Sequence, residues 1–408
     1  MLQPIVAGIV GALTGFASSF ALVVAGLLAV GATPAEAASG LLVLCLGQAG
    51  LAIALSVAFR LPLSFAWSTP GAALLVAAEG AVGDYRAAIG AFIVCGLLIV
   101  VTGLIRPLGR AMTRIPMPLA GAMLAGILLP ICIAPVTAVV EVPLLAVPVV
   151  LVWLALVRLA PRWAVPAAML VAGIGIVIQA NGGLRGGGAA ASLVDGSGMP
   201  AASLAPVLAL TLPAFDPLVI ASLGLPLFIV TMAGQNVPGF AVLTTLGYPP
   251  APARAVLVSS GLVTAIGAPL GGYAVNLAAI TAALMAGPDA HPDRDRRWIA
   301  PVAGGVVYVL LGLSAGAATA LVTAAPPVLI IAVAGLALLG ALTTGLVAAF
   351  EAPETRLTAA VTLVVVASGV VVAGVGSAFW GLLAGTLVLL VTRARRPRTP
   401  GDAEAPAR

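Results

Sequence analysis

Two stretches of this chain set hydroxyl and amide side chains beside prolines and glycines in otherwise apolar sequence. Pro62 to Thr69 holds a proline, two aromatics and three hydroxyl residues, which suits extended backbone, while Pro70 to Ala78 is strong helix-forming sequence. Ser68 or Thr69 can cap that helix, with Pro70 in its first turn. Gly267 to Val275, with Pro269 and the Gly271-Gly272 pair, breaks helix in the same way, and Asn276 is then expected to open a helix from Leu277 to Met285. Two helix N-termini meeting away from water would each present unpaired N–H groups and about half a positive charge. That is enough to hold a carboxylate without an arginine. The plainer reading, in which Thr69 and Asn276 only cap helices that shape a bundle, stays open, because Gly and Pro are common in membrane helices.

Two further polar clusters sit in apolar runs. Gln235-Asn236-Val237-Pro238-Gly239 interrupts its apolar run with two amides and a helix breaker, and Phe16-Ala17-Ser18-Ser19-Phe20 brackets two hydroxyls with rings that could wall an aromatic ligand. Such residues face a substrate or glue helices together. His291, in His291-Pro-Asp-Arg-Asp-Arg-Arg-Trp298, belongs to a solvated, arginine-rich loop with an interfacial tryptophan. Cys45, Cys95 and Cys132 lie singly in apolar runs and read as small hydrophobes, so neither a metal site nor a disulfide framework is expected. With no Ser-His-Asp set, Walker motif or HExxH, an enzyme is not expected, and no cofactor either.

The elements that must position these groups are membrane helices. A chain of 408 residues that is 62% hydrophobic and 8% charged, against roughly 25% charged in soluble domains, has lipid for its solvent. The net charge of +5 is spread as short clusters between apolar runs and forms no nucleic-acid patch. Met1 to Val30 is about twice as long as a signal-peptide apolar region and lacks a basic start, so it reads as the first span. We count fourteen candidate spans of roughly 20 residues each. The third is Leu61 to Gly83, the eighth Asp216 to Leu243, the tenth Gly271 to Met285, the eleventh Trp298 to Val322 and the thirteenth Arg356 to Ala373. Lysine is absent, and a cytoplasmic N-terminus puts all of the 18 basic residues inside except Arg86 and Arg185. Both termini are then cytoplasmic. Residues 1–180 form a first half of seven spans, 181–213 an external Gly-rich linker, 214–392 a second half of seven, and 393–408 a cytoplasmic tail.

The halves repeat weakly. Gly31-Ala-Thr-Pro-Ala-Glu-Ala-Ala-Ser-Gly-Leu-Leu42 lies on Gly247-Tyr-Pro-Pro-Ala-Pro-Ala-Arg-Ala-Val-Leu-Val258, and Thr69 to Leu74 corresponds in position to Val275 to Ile280. An odd number of spans per half inverts the second copy, the pattern of secondary transporters, whose substrates bind at mid-membrane.

The strings Trp67-Ser-Thr-Pro-Gly-Ala-Ala-Leu-Leu75, Gln235-Asn-Val-Pro-Gly-Phe-Ala-Val-Leu243, Asn276-Leu-Ala-Ala-Ile-Thr-Ala-Ala283 and His291-Pro-Asp resemble the BenE-type benzoate/proton symporter family, from the first span to about Val391. The resemblance implies an all-α polytopic carrier of the bacterial inner membrane that imports benzoate or a similar aromatic carboxylate with a proton. It also implies distant kinship with nucleobase carriers of seven-plus-seven inverted-repeat fold, with core and gate domains. Those carriers place acidic residues in the eighth and tenth spans, whereas here Gln235, Asn236 and Asn276 are neutral, so their proton-coupling groups do not carry over. The substrate set is therefore Ser68, Thr69, Pro70, Gln235, Asn236, Asn276, Ser18, Ser19, Phe16 and Phe20, with the carboxylate at the helix termini and the ring near Phe16 and Phe20. No acid falls in the middle of a span, and Glu79, at the outer end of the third, is the side-chain candidate for proton coupling beside a proton that travels with the substrate. Partners are the substrate, protons, the bilayer and a second copy of the chain in a homodimer. A same-fold carrier for a nucleobase or another small organic anion is the rival reading, and a passive pore the rival of another class.

Overall fold

The computed structural model describes residues 2–105, 117–180, 206–278 and 280–394. Arg106, Arg110, Arg114, Arg185, the linker up to residue 205 and the tail from residue 395 lie outside the described residues. Before the linker come α1 (Leu2–Ala29), α2 (Pro34–Phe59), β1 (Phe65–Trp67), α3 (Thr69–Ala77), α4 (Tyr85–Leu104), α5 (Met117–Glu141), α6 (Pro143–Leu159) and α7 (Pro161–Ala180). After it come α8 (Pro217–Thr245), α9 (Ala253–Gly267), β2 (Val275–Leu277), α10 (Ile280–Ala286), α11 (Ile299–Leu313), α12 (Ala315–Ala324), α13 (Pro327–Phe350), α14 (Arg356–Ala367) and α15 (Ser377–Ala394). Among the described residues, 8 helices are long and apolar enough to cross a membrane: α1, α2, α4, α5, α8, α9, α11 and α13, with short 3-10 turns completing α9 and α11.

Burial runs inside out. Leu151, Leu170, Leu310 and Leu387 are exposed, whereas Ser68, Asn236 and Asn276 are fully buried. Lipid accepts the first group, and the second must find partners within the protein. Glycines let the backbones close up, as expected where lipid supplies no hydrophobic drive between helices. A Cβ built on Gly121 of α5 would lie 2.7 Å from the Gly345 carbonyl of α13, and one on Gly261 of α9 2.6 Å from the Gly96 carbonyl of α4.

Four expectations are corrected. Gln235 to Gly239 does not interrupt α8, which runs unbroken from Pro217 to Thr245 through two π-turns, Ile220–Gly224 and Met232–Asn236. Each π-turn is followed by a proline at its second position, Pro226 and Pro238, and the Val237 N–H reaches back to the Met232 carbonyl. The wider turn absorbs the proline's missing donor and steric bulk without ending the helix. Asn276 does not open a helix; it lies in β2, and α10 starts later, at Ile280. Strand pairing with β1 satisfies that backbone instead. The eleventh span divides at Ser314 into α11 and α12, and the thirteenth stops at Ala367. Beyond Ala367 the chain turns through Gly369, Ala373 and Gly374, all at positive φ.

Residues 206–216 form an extended strap across the ends of three helices. Thr211 Oγ1 donates to Glu36 Oε1 (2.6 Å), the Ala209 N–H to Ser39 Oγ (3.0 Å), and the Ala214 N–H to the Arg86 carbonyl (2.8 Å). Glu36 also completes a capping box with Thr33 at the start of α2.

The His291 loop is exposed from Pro292 to Arg296, with one exception at its end. Arg297 is buried, and its guanidinium donates to the carbonyls of Ala286 (2.9 Å), His291 (2.6 Å) and Pro292 (3.3 Å). It closes the C-terminal end of α10, where carbonyls have no helical donors. Arg60 stacks over Trp298 and Arg294 over Tyr248. Burial pushes the Tyr248 phenol above its ordinary range, opposed by its hydrogen bond from Arg297 and by the charges of Arg297 and Arg294.

Candidate functional site

Alternation in Phe65-Ala-Trp67 suits a strand, and two such strands meet in the protein's interior. β1 and β2 pair antiparallel with Phe65 opposite Leu277, Ala66 opposite Asn276 and Trp67 opposite Val275. Beyond the pair, the Ser68 N–H donates to the Ala274 carbonyl (2.8 Å) and the Ala278 N–H to that of Ser64 (2.9 Å). Each strand runs on toward a short helix, α3 or α10, so two helix starts flank one extended ribbon.

Ser68 is the N-cap of α3. Its Oγ accepts from the Gly71 N–H (3.1 Å) and from Thr231 Oγ1 (2.8 Å), while its carbonyl accepts from Tyr273 Oη (3.0 Å). Pro70 takes a first-turn position where its missing N–H costs nothing. Of the first donors of α3, the Thr69 N–H is left without a partner among the described residues, and Thr69 is half-buried. Asn276, with its amide oxygen turned toward the strand partner, accepts from the Ser68 N–H at 3.0 Å. Asn236 Oδ1 accepts from the Leu277 N–H (3.0 Å). Both buried asparagines therefore hold the ribbon in place. The side chain of Gln235, a residue 8% exposed, makes no hydrogen bond to the other described residues. Thr69 and Gln235 are the polar groups with capacity to spare for a ligand.

The π-turn of α8 lies against the start of α3: a Cβ built on Gly234 would be 3.4 Å from Pro70 Cγ and 3.9 Å from Leu124 of α5. On the other side stands an aromatic row. Phe16 and Phe20 stack at 4.9 Å between centroids, Trp67 meets Phe16 edge-on at 5.9 Å, and Tyr308 meets Trp67 at 6.2 Å. Ser19 Oγ accepts from the Trp67 indole N–H (2.9 Å), and both Ser18 and Ser19 donate to the Gly15 carbonyl (2.9 and 3.3 Å). These two serines are spent on the helix and on Trp67.

The structure thus gathers Phe16, Phe20, Ser18, Ser19, Ser68, Thr69, Pro70, Gln235, Asn236 and Asn276 around one ribbon and leaves Glu79 apart, exposed beyond the far end of α3. Sequence reasoning passed over Trp67, Thr231, Tyr273 and the buried Ser64–Thr281 pair (2.8 Å). Thr231 had a signal, since it precedes Gln235 by four residues and so shares a helix face. Among the described residues no cluster of His, Cys, Asp or Glu could hold a metal, and the cysteines are free.

The family model for "Benzoate membrane transport protein", BenE, matches residues 1–391. The chain belongs to the BenE family. It is a multi-pass membrane transport protein and not an enzyme. Among similar BenE relatives, the chain is 40% identical over 389 residues to the inner membrane protein YdcO of Escherichia coli, covering 95% of each chain. It is 30% identical over 355 residues to the benzoate membrane transport protein of Acinetobacter baylyi, covering 85% of this chain and 84% of that one. The BenE fold is shared with solved transporters of far lower identity. The transmembrane domain of the cyanobacterial bicarbonate transporter BicA matches with a TM-score of 0.55 at 15% identity, covering 95% and 98% of the two chains. SLC26A9 matches with 0.57 at 12% identity, covering 95% of this chain and 65% of that one.

Proposed function

We propose that this protein is a secondary active carrier that imports benzoate or a similar aromatic carboxylate, with a proton, across the bacterial inner membrane. The observation that carries the reading is the ribbon site: a capped helix start with a spare N–H, an amide with free hydrogen-bonding capacity and an aromatic row, with no charged side chain in the set. The carboxyl group docks at Thr69 and Gln235, on a scaffold of Ser68, Asn236 and Asn276, and the ring packs against Phe16, Phe20 and Trp67. Burying a phenyl ring contributes roughly 1.5–3 kcal/mol and a favourable helix terminus up to about 2 kcal/mol. Ordering costs subtract from both, so micromolar to millimolar affinity is expected.

The architecture we infer is fourteen spans in two inverted halves, residues 1–180 and 214–392, joined outside by residues 181–213, with both termini cytoplasmic and β1–α3 and β2–α10 as the third and tenth spans. Support comes from the antiparallel pairing of the two extended stretches and from Gly31 and Gly247, both at positive φ just after α1 and α8. YdcO's naming as an inner membrane protein supports the location.

Moving one negative charge into a cell that is negative inside costs about 2.3 kcal/mol per 100 mV, so uptake needs a compensating cation. One-to-one electroneutral symport meets that need, with the proton carried by the substrate, or, as the side-chain alternative, by Glu79. In proteoliposomes with pH gradient and voltage set independently, benzoate accumulation is expected to follow the pH gradient, to ignore voltage and to survive Glu79→Gln. Transport that follows voltage but not pH defeats proton symport. Loss of accumulation in the variant alone moves the proton to Glu79.

Asn276→Ala should weaken benzoate about tenfold more than the uncharged isostere benzamide, because the Ser68 N–H loses one of its two acceptors, keeping only the Ala274 carbonyl, and the α3 start shifts beneath the carboxyl group. Titration of the purified variant with both ligands checks this. Equal losses would take the carboxylate away from that helix start.

A further inference from the structure

Two cavities lie toward the end of α3 opposite its cap. The larger, of about 770 Å³, is lined by Val76, Ile127, Ile131, Glu141, Pro327 and Ile331 among others. The smaller, of about 340 Å³, takes in Leu28, Val76, Glu79, Pro327, Ile330 and Ile331. Val76, Pro327 and Ile331 line both, so the two lie side by side around α3, α5 and the start of α13, and together they are called the vestibule.

The vestibule and the ribbon site lie on the same elements, α3 and α5. Val76 stands about 9 Å along α3 from Pro70 at 1.5 Å per residue. On α5 the same direction runs from Leu124, which faces Gly234 beside Pro70, to Ile127 and Ile131 in the cavity wall. At the site end lies Gln235, whose side-chain amide has no hydrogen-bond partner among the described residues. Among the described residues the lining holds no basic side chain; Glu79 and Glu141 are its ionisable groups, Thr137 and Thr323 its hydroxyls, and the rest is apolar.

We propose that this vestibule admits the substrate as the neutral, protonated acid and turns back the carboxylate anion, with Glu79 and Glu141 as the specificity-determining residues. The proposal rests on the reading that an aromatic acid docks at the start of α3. A negative potential depletes the anion locally and enriches protons by the same factor, so the concentration of the neutral acid is unchanged while that of its anion falls. The apolar walls act in the same direction, since stripping water from an ionised carboxylate costs far more than from a neutral acid. Each substrate molecule entering this way brings its own proton. Electroneutral uptake then requires no acidic side chain at mid-membrane.

The test is stopped-flow association of benzoate, benzamide and the permanently anionic benzenesulfonate with the purified protein, read by tryptophan fluorescence. At about 10 mM salt, the benzoate association rate is expected to rise roughly fifty- to a hundredfold from about pH 7.5 to about pH 5.5, following the neutral fraction of a carboxyl with a pKa near 4, while benzamide stays flat. Raising salt to about 300 mM should speed benzenesulfonate several-fold and leave benzamide unchanged. In the Glu79→Gln/Glu141→Gln double variant, benzoate at the higher pH should associate several-fold faster, and salt should no longer matter. Benzoate association that ignores pH in the unaltered protein overturns the proposal, as does benzenesulfonate that ignores salt. A double variant that matches the unaltered protein also overturns it, with benzoate binding and the α3 site left standing. Absence of saturable benzoate binding at every pH overturns the site reading and this proposal with it.

Discussion

Replacing Ser68 by alanine is expected to raise the dissociation constant for benzoate about thirtyfold, equivalent to about 2 kcal/mol, and to lower the thermal midpoint by several degrees. One Oγ serves two partners here: it caps α3 through the Gly71 N–H and receives the Thr231 hydroxyl, with Ser68 and Thr231 both fully buried. Loss of an N-cap costs about 0.5–2 kcal/mol, and a buried hydroxyl left unpaired about 1–3 kcal/mol. Binding suffers because the cap sets where the free Thr69 N–H points. Thr231→Val alone should cost less, since Ser68 then still caps the helix, and the double variant should cost less than the sum of the two singles. Calorimetric titration of the four proteins, paired with thermal melts, checks the cycle. Strict additivity would mean that the hydroxyl pair does not act as a unit.

The second large effect is expected at Gly335 of α13. Pro135 has no N–H, so the Ile131 carbonyl of α5 lacks its donor within the helix, and the Gly335 backbone packs directly onto it; a Cβ on Gly335 would press on that oxygen and come within 3.0 Å of Pro135 Cδ. Gly335→Val must push α5 from α13 along the vestibule wall. Overpacking of this kind costs about 1–3 kcal/mol or more, and the contact here is with rigid backbone. We expect loss of most folded material in detergent gel filtration after mild heating, with uptake falling in step. Gly340→Ala is the control on the same helix, because nothing lies within 4 Å of a Cβ there. It should be neutral or stabilise by about 0.5–1 kcal/mol. A Gly335→Val protein as heat-resistant as this control would show that α5 and α13 can separate freely.

The composition and the apolar runs of this chain determined by themselves that lipid is its solvent, because almost no charge is available to cover a water-facing surface. The ends of the capped elements were legible for the same local reason: Thr33 with Pro34 and Glu36, and Ser68 with Pro70, announce helix starts through bonds that span three residues. The quoted strings around Trp67, Gln235 and Asn276 likewise sufficed for the BenE assignment. Tertiary structure decided the rest. Asn276 looks like a helix cap in isolation, yet its amide and its backbone are claimed by a strand more than two hundred residues earlier, and no local rule can see that partner. Pro238 looks like a helix breaker, and packing of α8 beside α3 keeps the helix whole through a π-turn. Thr231 and Trp67 acquire their roles only when Ser68 and Ser19 arrive beside them. Local bonds can be read from neighbours in the chain. The pairing of buried polar groups depends on which segments meet, and in a lipid-soluble bundle that is settled by close backbone contacts at glycines such as Gly121, Gly335 and Gly345.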